Sequence, residues 1–126
     1  MNIPSHLPLP RHLQRGRRAE ILACRYLERQ GLSLIKRNFH CKCGEIDLIM
    51  REANSLVFVE VRYRSSQQFG TAVETILPDK MQRLRRSAEF FLQQHTRFDE
   101  LYSRFDVIGI TGTLEGPEVH WIRDAF

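Results

Sequence analysis

The chain has 126 residues, 42% of them hydrophobic and 27% charged, enough for one globular domain with its own core and too few for several. No apolar run approaches the roughly 18 to 20 residues of a membrane span, and the N-terminal stretch lacks an apolar signal region, so the sequence reads as that of a soluble cytoplasmic protein. Lysine and arginine outnumber aspartate and glutamate by 19 to 15, and this mild excess, mostly arginine, favours a polyanionic partner without requiring one.

Residues 1–13, with Pro4, Pro8 and Pro10, lack periodicity and read as a flexible lead-in. From Arg15 the pattern is helical: Ala19, Leu22, Ala23, Tyr26 and Leu27 recur at helical spacing, and Gly31 supplies the stop. Glu20 lies at the border of this apolar stripe, either as a solvated residue favoured by the helix dipole or as an acid turned towards a site. Residues 32–39 alternate apolar with polar, as a half-buried or edge strand does. The run His40-Cys41-Lys42-Cys43 lacks the second Cys/His pair of a structural zinc site, so a turn is the simpler role, with Gly44 allowing a reversal or bulge. Three cysteines at no disulfide-like spacing fit a reducing compartment.

Residues 44–50 and 56–62 predict two neighbouring strands joined by the turn at residues 52–55. The second is so uniformly apolar that it requires cover on both faces. Alternation puts Asp47 on a face with Glu45, Ile49 and Arg51, and Glu60 on a face with Phe58 and Arg62. In a hairpin, Asp47, Glu60 and Arg62 can converge, and buried carboxylates beside a guanidinium suggest a site.

A polar loop runs from Tyr63 and Arg64 to Gly70. Pro78 then opens a second helix with Met81, Leu84, Ala88, Phe91 and Leu92 on one face and Lys80, Arg83, Arg85 and Arg86 on the other. Lys80 and Gln82, in its first turn, are candidate phosphate contacts. After a polar connector, residues 104–110 and 118–122 predict two further strands, and Asp106 is assigned a structural role, pairing with an arginine or accepting backbone N–H groups. The fold class is α/β, in the order α-β-β-β-α-β-β, with a mixed central sheet flanked by helices and residues 14–126 as a single domain.

A helix glutamate, a strand aspartate and a Glu-x-Lys-like pair resemble the PD-(D/E)xK nuclease superfamily, the restriction-endonuclease-like fold shared by Holliday-junction resolvases. The stretches Gly44-Glu45-Ile46-Asp47-Leu48-Ile49 and Val57-Phe58-Val59-Glu60-Val61-Arg62-Tyr63-Arg64, with Gly70, Lys80 and Arg104-Phe105-Asp106, are more specifically similar to the small bacterial YraN family. The resemblance spans residues 15–124 and implies a three-layer core and a metal-dependent endonuclease acting on DNA, including branched or structured DNA. It also implies Asp47, Glu60 and Glu20 as ligands of Mg2+, or of Mn2+, with the main-chain carbonyl of Val61 as a further ligand, and Asp47, Glu60, Arg62 and Glu20 as the catalytic set. Glu45 is a weaker participant, and Arg64, Lys80, Gln82 and Arg37 are candidates for nucleic-acid contact. Symmetric cutting of two strands would call for a homodimer, although no stretch marks an interface.

The sequence departs from the superfamily at Arg62, where lysine is expected. A guanidinium stays protonated and cannot transfer a proton, although it can hold charge and grip phosphate. Two functional readings therefore stand: a nuclease, and a noncatalytic nucleic-acid-binding protein with a degenerate site. A third is a structural protein whose acids and arginines form internal ion pairs.

Overall fold

Residues 56–59 are uniformly apolar because their strand lies at the centre of a five-stranded sheet and packs on both sides. The computed structural model describes residues 11–64 and 76–126. Its elements are α1 (Arg11–Arg29), β1 (Ser33–Cys41), β2 (Gly44–Glu52), β3 (Ser55–Arg64), α2 (Pro78–Gln94), β4 (Tyr102–Thr111) and β5 (Glu118–Ile122), the order expected from the sequence. The strands lie side by side in chain order. Among the described strands only β3 and β4 run parallel, and α2 lies in the connection between them, as a parallel pair needs a crossover.

The two helices cover opposite faces. Ala19, Ala23, Cys24 and Leu27 of α1 bury against Leu48, Met50, Val57, Val59, Ile108 and Ile110. Leu84, Ala88 and Phe91 of α2 bury against Ile46, Ile49, Leu56 and Phe58. Alternate residues of β3 thus serve different helices, which gives the three layers and explains why the strand shows no polar face.

Helix α1 begins four residues before the expected start at Arg15, so residues 11–13 belong to the helix rather than to the lead-in. No apolar stripe signals that turn; it extends from the packed turns that follow. The rest of the lead-in, and the loop expected after Arg64 with Gly70, lie outside the described residues. Gly31 ends α1 at φ 101°, a conformation that favours glycine, while Leu32 N–H donates to Leu27 O over 3.0 Å.

Asp106 is fully buried on β4 and has the structural role expected of it. It accepts from Arg104 Nε at 3.0 Å, Trp121 Nε1 at 2.9 Å and the backbone N–H of Asp124 at 2.9 Å. Arg104 also donates to Glu52 at 3.0 Å, and Arg123 reaches the same Glu52 oxygen at 2.8 Å, so the β2–β3 turn, β4 and the C-terminal segment close on one network. Replacing Asp106 by alanine strands these buried donors, and we expect a loss of about 3 kcal/mol. That corresponds to a fall of roughly 10 °C in Tm, measurable by calorimetry, whereas a loss below about 1 kcal/mol would contradict the network's structural role.

Candidate functional site

The pleat of the sheet changes phase where β2 carries its buried aspartate. At the register pair Arg37↔Leu48 both residues face α1: Leu48 is in the α1 core and the Arg37 guanidinium lies 3.8 Å from Cys24 Sγ. One pair further along the order of the chain, two residues on, Phe39↔Ile46 faces α2. Strict alternation would keep both pairs on one face. The intervening Asn38 has φ 49°, a left-handed conformation that asparagine tolerates, and its place opposite Asp47 marks the break. The sequence reading that put Asp47 on one face with Glu45, Ile49 and Arg51 assumed an alternation that is interrupted between Ile46 and Leu48.

On the other side, the paired register of β2 with β3 runs from Glu52↔Ser55 to Leu48↔Val59. Beyond it the backbone N–H of Val61 donates to Asp47 Oδ2 at 2.8 Å, so a side chain takes the place of a ladder partner. This brings Asp47 against the base of Glu60. Both acids are buried, at 9% and 5% exposure.

Glu60 is answered by two cations from different elements. The Lys80 ammonium, from the first turn of α2, lies 2.8 Å from Glu60 Oε1, and Arg62 Nε, two residues along β3, lies 3.9 Å from the same oxygen. Asp47 is answered less well. Burial first, and then the charge of Glu60, push its pKa up from 3.8 to about 8, against the opposing effect of the Val61 N–H. Glu20, on α1, is raised by burial, with Asn38 and Asp47 as hydrogen-bond partners of its carboxylate. Burial thus favours the protonated form of Asp47, and Glu20 is its hydrogen-bond neighbour. Asn38 was missed in the sequence; a polar residue in a half-buried strand gave no signal that it would break the pleat and hold Glu20.

Lys80 and Arg62 stand beside Glu60, and Arg17 and Glu45 act on Glu20 with opposite signs. The oxygens of the three acids are hard donors suited to a divalent ion, and the proton held by Asp47 is what such an ion would displace. The side chains do not form a finished cage: among the described residues no group of three His, Cys, Asp or Glu is arranged to hold a metal as it stands. Glu60 instead holds the Lys80 ammonium.

The remaining sequence candidates fall around this centre. Val61 supplies the N–H bound by Asp47. Glu45 is exposed and pairs with His40 at 3.3 Å, and its charge helps raise Glu20. Lys80, a candidate phosphate contact on the basic face of α2, reaches Glu60, while Gln82 stays exposed. Arg37 is exposed against Cys24, and half-buried Arg64 lies near the end of β3 where Gly112 N–H donates to its carbonyl at 3.1 Å. A pocket of ≈ 220 Å³ opens between the β1–β2 turn and α2, lined by Gly44, Glu45, Lys80, Arg83 and Leu84, and Lys80 links its wall to Glu60. Gly44, at φ 148°, brings the β1–β2 turn against α2: an added Cβ would stand 3.5 Å from Ser87 Oγ.

Comparison with known proteins adds a family but no activity. Residues 19–110 match the model of the Uncharacterised protein family UPF0102. A UPF0102 protein of Nitrosococcus oceani is 48% identical over 115 residues, covering 91% of this chain and 93% of its own. One from Stutzerimonas stutzeri is 44% identical over 111 residues, covering 88% and 92%. Another, from Pseudomonas aeruginosa, is 46% identical over 115 residues, covering 89% and 91%.

The buried acids set a pH dependence of stability. The folded chain holds the Asp47 proton to about pH 8, whereas an unfolded aspartate releases it near 3.8. Its contribution is therefore complete below the unfolded value and is lost as pH rises towards the folded one; raised Glu20 acts with the same sign. In chelator-treated buffer we expect Tm to fall between about pH 5 and 8, and Asp47→Asn to flatten that slope and raise Tm by several degrees at pH 8.5. Identical profiles for the two proteins would contradict an uncompensated Asp47.

Proposed function

The chain belongs to the UPF0102 family, the YraN family of the sequence resemblance, and we propose that it is a magnesium-dependent nuclease cutting phosphodiester bonds in DNA. The observation that carries this reading is the buried pair Asp47 and Glu60, brought together where the β2–β3 register ends, with burial and the charge of Glu60 both acting against an ionised Asp47. A purely structural pair would be expected to carry full compensation, as Asp106 does.

Asp47, Glu60 and Glu20, with the Val61 carbonyl, are the oxygens that would hold Mg2+ or Mn2+. Such an ion, when bound, lowers the pKa of a bound water and neutralises charge building on phosphate. The chain's own contribution is positional. The Val61 N–H fixes the Asp47 carboxylate, Asn38 and Asp47 orient Glu20, and Arg62 and Lys80 keep positive charge beside Glu60. Arg64, Gln82 and Arg37 are the proposed contacts to the nucleic-acid backbone, for which guanidinium groups are well suited. Branched DNA is the substrate suggested by the resemblance to resolvases, and a homodimer is the assembly that would cut it symmetrically.

Arg62 favours a second reading. Without a lysine at that position, the fold would bind nucleic acid through its arginines and leave it intact, with affinity falling steeply as salt rises.

Purified protein should nick supercoiled plasmid, single-stranded DNA or a four-way junction in millimolar magnesium, and Asp47→Ala should slow this by on the order of 100-fold or more. Salt-sensitive binding with no cleavage of any of the three substrates by the wild-type chain would select the binding protein instead. Undiminished cleavage by the variant would place the activity elsewhere.

A further inference from the structure

The position two residues after Glu60 carries a guanidinium, yet the closest cation to Glu60 comes from another element. Lys80 Nζ lies 2.8 Å from Glu60 Oε1, within hydrogen-bond range, while Arg62 Nε lies 3.9 Å away, outside it. The Glu60 side chain is 6% exposed and those of Lys80 and Arg62 are 34% and 27% exposed, so both cations run from a buried carboxylate towards solvent. Lys80 is also part of the wall of the ≈ 220 Å³ pocket, together with Gly44, Glu45, Arg83 and Leu84. Lys80 therefore belongs both to the acid cluster and to the wall of that cavity.

The backbone holds the lysine stem still while leaving its end mobile. Pro78 is the first residue of α2, and the Lys80 N–H donates to Leu77 O at 3.0 Å, so the Lys80 Cα is anchored in a formed helical turn. Four methylenes then carry a compact ammonium that can turn from one acceptor to another without moving the helix. A planar guanidinium with a fixed fork of donors has less freedom to do so.

We propose that Lys80 is the ammonium that contacts the scissile phosphate, an inference that rests on the nuclease reading above. Without nucleic acid it neutralises Glu60. When a phosphodiester enters the pocket, the ammonium turns to a non-bridging phosphate oxygen, and Arg62 remains beside Glu60 so that the buried carboxylate keeps a cation. Arg83, one helical turn on and in the same wall, supplies a second positive charge to the entering backbone. The charge that a lysine on β3 would have supplied thus comes from α2.

The test uses the full chain, its Lys80→Ala variant and the double variant Arg62→Lys with Lys80→Ala, each confirmed folded by calorimetry. Single-turnover cleavage of a plasmid and a four-way junction is measured in magnesium, and Kd for the same junction is measured by anisotropy in chelator. We expect Lys80→Ala to lose on the order of 100-fold in cleavage rate while Kd changes by less than about threefold. The double variant should recover at least about tenfold over Lys80→Ala, because it places an ammonium beside Glu60 from the other strand position; a merely structural Lys80 would not be rescued in this way. Independently of activity, the Lys80 15Nζ resonance should shift saturably when the junction is added in chelator. Wild-type cleavage with an equally active Lys80→Ala, a loss without recovery in the double variant, or an unmoved 15Nζ resonance overturns the proposal alone. Absence of cleavage by wild type overturns the nuclease reading and this proposal with it.

Discussion

A carboxylate inside a sheet must be met by donors or cations, and the rest of this structure follows from how its two buried aspartates are met. Asp106 accepts from Arg104, from the Trp121 indole and from the Asp124 backbone, and those partners tie β4 to the β2–β3 turn and to the C-terminal segment. Asp47 has the Val61 N–H, Glu20 as a side-chain hydrogen-bond neighbour, and the charge of Glu60 against it. One aspartate is a tie and the other is an unfinished site. Burying an ion costs several kcal/mol unless it is paired, so keeping Asp47 and Glu60 together at the sheet interior requires compensation, of which the described residues supply Lys80, Arg62 and the Val61 N–H.

The backbone makes room for this arrangement. Asn38, in a left-handed conformation, and Asp47 shift the pleat together, so that the β1–β2 hairpin leans on α1 at one end and on α2 at the other. The β2–β3 register ends at the same level, and Gly44 lets the hairpin turn come close to α2. Acids from α1, β2 and β3 and a lysine from α2 are thereby gathered at one end of the sheet, although they are far apart in the sequence, from Glu20 to Lys80. The charged end of the sheet and the tied end are then separate: Arg104, Glu52 and Arg123 hold one, while Glu20, Asp47 and Glu60 mark the other.

Much of this was legible from residue types and spacing. The apolar run of β3 requires cover on two faces, Gly31 and Pro78 mark a helix end and a helix start, and β5 has the bounds that its turn and alternation suggest. Asp47 and Glu60 were visible as charges in apolar strands, and Asp106 as a structural carboxylate. What pattern could not show were the departures from pattern. Period-two alternation carries no sign of the phase change at Asn38 and Asp47, because a left-handed residue in a strand is permitted by asparagine but not announced by it. Nor can spacing show that Lys80 reaches Glu60, since a lysine in the first turn of a basic helix face reads as a candidate phosphate contact and nothing in the pattern points to Glu60. Residues 11–13 have no apolar stripe, so only the formed helix reveals that they belong to α1.

The account stands on Asp47 and Glu60, buried together at the end of the β2–β3 register, being carboxylates that a divalent ion can join. The most direct test is a crystal of the protein soaked in manganese and measured for anomalous scattering. The account predicts a peak within about 2.0 to 2.2 Å of oxygens from both carboxylates, with Asp47 deprotonated and the Lys80 ammonium withdrawn from Glu60. Saturating manganese with no peak at the pair, and with Lys80 still on Glu60, would contradict it.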